Sequence, residues 1–115
     1  MVSLNKVMIM GNLTRDPEIL KHDMPIAKFG MAINQKIGDK EKVCFVDLTA
    51  FGINAQLISK HLKKGSPLFV EGRLDFSSWE TAEGLKKNKL EVIVDRFQFI
   101  GSPPKSDNQD NKSPE

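Results

Sequence analysis

Between Val43 and Phe51 the sequence sets two phenyl rings and an aspartate on one face of a strand. Side chains alternate faces along a strand. Cys44, Val46, Leu48 and Ala50 therefore share one side, small and aliphatic throughout, which suits a core. Val43, Phe45, Asp47, Thr49 and Phe51 share the other. Aromatics beside polar groups are costly to leave in water unless something flat stacks on them, and unpaired bases are flat. The same rings would equally fit against a partner subunit or a fold-back loop, and the pattern alone leaves both open.

A second cluster lies in Arg73–Lys89, RLDFSSWETAEGLKKNK. Glu83-Gly84 reads as a turn between two arms. The only tryptophan, Trp79, is on one arm, and Lys86, Lys87 and Lys89 are on the other. A ring flanked by ammonium groups suits stacking with phosphate contacts. A tryptophan folded onto the body of the domain, with lysines solvating the surface, fits the pattern as well. Phe76 has the parity of Leu68, Val70 and Leu74, which is that of a core. Lys6 beside a strand start, and Lys63 and Lys64 at a helix end, are further cations; helix-end lysines also serve the helix dipole.

Groups for catalysis are present but not arranged for it. His22 and His61 lie far apart in the chain, and the single cysteine, Cys44, has no local partner. No ligand spacing for a metal occurs. Gly65, Gly72 and Gly84 are isolated, so no phosphate-cradling loop is formed. The expectation is a binding protein rather than an enzyme, with no metal and no organic cofactor.

These residues need a frame to position them. A chain of 115 residues, 39% hydrophobic and 28% charged, suits one small globular domain. Lys6–Gly11, Ile26–Asn34, Val43–Phe51, Pro67–Phe76 and Lys89–Phe99 have strand character. One helix interrupts them, with Asn54 as its expected cap, Ala55, Ile58 and Leu62 on its inner stripe, and Gly65 as its left-handed stop. Three strands, a helix and two strands is the order of a five-stranded Greek-key OB barrel, with its helix between strands three and four. The expected domain is residues 1–100. Residues 101–115, GSPPKSDNQDNKSPE, hold no large apolar side chain and are expected to be a disordered polar tail. Residues 1–100 carry 15 Lys/Arg against 12 Asp/Glu, a net +3, and the tail carries 2 against 3, a net −1. No apolar run approaches the roughly 18–20 residues of a membrane span. With no leader pattern and one cysteine, a cytoplasmic protein is expected.

Several strings then add up. LNKVMIMGNLTRDPE at Leu4–Glu18 closely resembles the opening of bacterial and phage single-stranded DNA-binding (SSB) proteins. AFG at Ala50–Gly52, HLKKGS at His61–Ser66, VEGRL at Val70–Leu74 and VDRFQFI at Val94–Ile100 follow in the family's order. This resemblance implies an OB fold, a homotetramer, and sequence-independent binding of single-stranded DNA, which protects it in replication, recombination and repair at the nucleoid. It marks Phe51, Trp79 and Phe45 as stacking positions and Lys6, Lys63 and Lys64 as basic ones. Lys86 and Lys87 enter from the hairpin reading alone. The chain departs from the family at Ile37, where an aromatic is common, at Asp75 and Ser77, where basic residues are common, and at Asp47, where some members carry Arg. The turn before Pro25 (LKHDM) is shorter than usual. The final NKSPE lacks the acidic, apolar tip through which such proteins recruit replication enzymes; either the sequence is truncated there or recruitment does not run through a tip, so tip-dependent partners are not carried over from the resemblance. The modest charge leaves a different class of function open, a protein-interaction OB module of primosome-adaptor type with weak DNA affinity.

Overall fold

The structure, a computed structural model, describes residues 1–21 and 23–101. The segment expected to form the polar tail lies outside the described residues apart from Gly101, as does His22. The described chain forms β1 (Val7–Leu13), β2 (Glu18–Lys21), β3 (Pro25–Ile37), β4 (Lys40–Phe51), α1 (Ile53–His61), β5 (Pro67–Glu80) and β6 (Lys86–Phe99).

The strands run β1-β5-β6-β4-β3-β2, and β1 also pairs with β3. That last pairing closes β1, β5, β6, β4 and β3 into a five-stranded barrel, which removes its open edges. The helix falls between the third and fourth barrel strands, so the expected OB architecture is correct. β1 lies antiparallel to β5 from Val7 to Asn12, then turns Asn12 and Leu13 onto Ala32 and Met31 of β3. Gly11 stands at this corner, where a β-carbon would collide with the carbonyl oxygen of Ala32. The short strand β2, which the sequence did not announce, extends the sheet outside β3.

Inward alternation follows the sequence pattern. Ala27, Phe29 and Met31 of β3, Leu48 and Ala50 of β4, Leu68 and Val70 of β5, and Val92 and Val94 of β6 are all buried. Each large side chain among them adds about 1.5–3 kcal/mol by leaving water. Cys44 departs from the expected core face and is exposed, as are Leu74 and Phe76. The reason is strand length. β3–β4 and β5–β6 continue beyond the barrel as hairpins, so inward parity there meets no opposing wall. The first hairpin turns at Gly38, whose φ of 62° favours glycine. The second turns through Thr81–Leu85 around Gly84, as the Glu83-Gly84 signal indicated.

α1 packs Ala55 and Ile58 into the core. Gly52, at φ 65°, reverses the chain and caps the helix without any side-chain bond. Asn54 is therefore not the cap. It lies inside the first turn and donates Nδ2–H to the carbonyl of Asp95 at 3.3 Å. Leu62 leaves the helix in an extended conformation, so Lys63, Lys64 and Gly65 belong to the following loop rather than to the helix end. No helix among the described residues is long and apolar enough to cross a membrane.

Candidate nucleic-acid interface

The outer face of β4 carries Phe45, Asp47, Thr49 and Phe51, which stand opposite Ala32, Gly30, Lys28 and Ile26 of β3. Phe45 is 72% exposed, because its neighbours on β3 are small and polar. Phe51, where the strand ends, is 40% exposed. On β5, Trp79 pairs with Lys87, and Ser77 pairs with Lys89. Lys89 Nζ lies 3.8 Å from Asp47 Oδ2. That contact joins the two groups: Trp79, Lys87, Lys89, Asp47, Phe45 and Phe51 share one outward side of the barrel. Trp79 is 49% exposed, so its ring is not folded away against the body of the chain.

Thr49 shares this parity and yet is buried. Its Oγ1–H donates to Glu91 Oε1 at 2.6 Å and accepts from Lys28 Nζ at 3.3 Å. The buried hydroxyl is thus satisfied both as donor and as acceptor, and it holds a carboxylate and an ammonium on the face. Arg15 arrives from the β1–β2 loop and places Nη1 3.9 Å from Asp47 Oδ1. Arg15 and Lys28 were missed by sequence reasoning. Lys28 has outward parity on β3, which is a usable signal. Arg15 has none, because only the fold carries its loop over the sheet.

The other expected residues are spread more widely. Lys86 pairs with Glu80 and, next to Lys87 in the strand, points to the opposite side of the hairpin from Trp79. Lys63 and Lys64 lie in the loop after α1, where the backbone N–H of Lys64 donates to Asp16 Oδ1 at 2.7 Å. Asp16 follows Arg15, so this one loop touches both the Lys63–Lys64 turn and the aromatic face. Lys6 sits before β1 and contacts Glu71 Oε2 at 2.6 Å, on the β1–β5 side. Its hydrogen bond holds the Glu71 carboxyl below the ordinary value, with desolvation opposing. Ile37 is exposed beside the hairpin turn, and Ser77 Oγ–H donates to Asp75 Oδ2 at 3.2 Å.

Among the described residues no three of His, Cys, Asp and Glu converge as a metal site. The face offers flat apolar rings, exposed cations and an aspartate, an arrangement for stacking and charge pairing.

Comparison with known proteins supplies the family. The model of the single-strand binding protein family matches residues 4–100. The single-stranded DNA-binding protein of Wolinella succinogenes is 39% identical over 105 residues, covering 85% of this chain and 65% of the relative. That of Helicobacter hepaticus is 36% identical over 110 residues, covering 90% and 65%. The chain thus spans just under two thirds of the length of these relatives. A solved Plasmodium falciparum SSB in complex with ssDNA superimposes with a TM-score of 0.78 at 28% identity, covering 88% of this chain and 98% of that one.

Proposed function

Since the chain belongs to the single-strand binding protein family, we propose that it binds single-stranded DNA without sequence preference, through base stacking on Phe45, Phe51 and Trp79 and phosphate contacts from lysines. The observation that carries this reading is the exposure of Phe45 and Trp79 on one outward side with Lys87 and Lys89 between and beside them. Exposed rings on a polar face lose stabilisation in water, and a stacked base recovers about 1–3 kcal/mol for each. Lys6, Lys63, Lys64 and Lys86 extend the basic surface away from the rings, where a long strand would pass. The binding domain is residues 1–100, the chain acts as a homo-oligomer, taken as a tetramer, and it works in the cytoplasm at the nucleoid without catalysing a reaction. Protection of exposed strands in replication, recombination and repair follows from occupancy alone.

Trp79 provides the test. The chain has one tryptophan and no tyrosine, so its emission reports one place per chain. Titration with an oligo-dT strand is expected to quench that emission strongly, and less so as salt rises, because phosphate contacts release counterions. Absence of both quenching and a gel shift would replace this reading with the protein-interaction module. Binding without quenching would keep the function and remove Trp79 from the site.

A further inference from the structure

On the reading of this face as a single-strand binding surface, we propose that Arg15 and Lys89 are phosphate contacts and that Asp47 between them is their exchangeable counter-ion. Asp47 thereby governs how tightly, and with what salt dependence, the strand is held.

The geometry starts at Gly30. It stands directly opposite Asp47 across β3 and β4, and it has no side chain to cover the sheet there. The β1–β2 loop lies in that space. The N–H of Thr14 donates to the Gly30 carbonyl at 2.9 Å. A β-carbon on Gly30 would stand 2.7 Å from Thr14 Oγ1 and 3.0 Å from Arg15 Nη1. The glycine thus lets the loop cross the face and brings the Arg15 guanidinium to 3.9 Å from Asp47 Oδ1. Lys89 approaches from β6, 3.8 Å from Oδ2. One carboxylate holds two cations, one at each oxygen.

Both pairs are loose. Their separations exceed the 2.6 Å of Lys6–Glu71 and Arg73–Asp95. The side chains of Arg15, Asp47 and Lys89 are 51%, 48% and 39% exposed. Exposed pairs of this kind add little stability and are screened by salt. Exchanging the carboxylate for a phosphate therefore costs little, and a phosphate can accept two parallel bonds from the guanidinium. Phe45 is two residues from Asp47 on the same side of β4, about 7 Å away. A base stacked on Phe45 keeps its backbone within reach of both cations. Until displaced, Asp47 offsets one of their two positive charges and repels the incoming phosphate. By contrast, the Lys28–Thr49–Glu91 cluster is anchored by a short hydrogen bond and stays in place.

The experiment measures binding of a fluorescein-labelled oligo-dT by anisotropy over a series of KCl concentrations. It compares the parent chain, Asp47→Asn, and Asp47→Asn combined with Arg15→Gln and Lys89→Gln, with circular dichroism to verify folding. We expect Asp47→Asn to bind about three- to tenfold tighter at low salt. Its log–log salt slope should steepen by about 0.7 for each cation freed. The triple variant should lose the gain and fall below the parent. If the parent binds and Asp47→Asn binds no tighter with an unchanged slope, the proposal is overturned and the family reading stands. A gain that survives in the triple variant would also overturn it, since Arg15 and Lys89 would then not be the groups released. A parent that binds no oligo-dT would remove the underlying reading and this inference with it.

Discussion

Phe45, Phe51 and Trp79 differ in how much ring they leave to a ligand, and this ranks their expected effects. Replacing any one with Ala should weaken oligo-dT binding by about 5- to 150-fold, the equivalent of one lost stack. Phe51→Ala should fall lowest in that range, since part of its ring is already covered. Anisotropy titration measures this, and the salt slope should not change, because no charge is removed. Unchanged affinity in both Trp79→Ala and Phe45→Ala would contradict the stacking assignment. Lys6 illustrates a residue with two possible employments. Its ammonium is engaged by Glu71, so Lys6→Met should let the Glu71 pKa return upward, readable by NMR titration of the carboxyl. The sign of the stability effect follows. A carboxyl whose folded pKa is depressed stabilises the fold above its unfolded pKa, and that stabilisation is lost as pH falls through the folded value. The parent should therefore lose stability toward acid at the lower edge of the carboxylate range, and Lys6→Met should lose less there.

Among the elements, the two long hairpins do most to shape the candidate interface. The inward stripes of β3, β4 and β5 could be read from alternation, yet the strand ends could not. Polar residues such as Lys40–Lys42 and Ser77–Ser78 carry no periodic signal, and only cross-strand pairing extends β4 and β5 through them. The bulge at Glu71/Gly72 is a second example. Arg96 pairs with Glu71 and Val94 with Gly72, leaving Asp95 as the extra residue. Its carboxylate accepts from Arg73 at 2.6 Å and its carbonyl from Asn54, so the bulge ties β5 to α1. No local pattern encodes that use of Asn54, and its role as a helix cap was the natural misreading. The helix itself was legible through Ala55 and Ile58. Ile58 is fully buried against the barrel, and Ile58→Ala should destabilise the protein by about 2–5 kcal/mol in urea or thermal unfolding.

For the molecule as a whole, closure leaves apolar groups outside as well as inside. Met8 and Met10 project outward from β1 and are exposed, and Met10 lines a shallow depression with Phe69, Phe99 and Ile100. Exposed apolar side chains gathered on one side suit contact between copies of a chain. On the homo-oligomer reading, light scattering should give a mass of about four times 12.9 kDa. Met8→Asp with Met10→Asp should lower it. A parent that scatters as a single chain would remove the tetramer from the reading.

The order of the five barrel strands and the helix, the inward stripes within the barrel and the identity of the aromatic strand face were determined by the sequence alone, because alternation and helical spacing are local properties of the chain. The match of short motifs in order added the family. What only the tertiary structure decided is which charges meet. Arg15 and Asp47 are brought together by a loop crossing Gly30, and Lys89 and Asp47 by the pairing of β4 with β6. Electrostatic contacts of this kind depend on distances of a few ångströms between residues remote in sequence, and the closing of the barrel sets those distances.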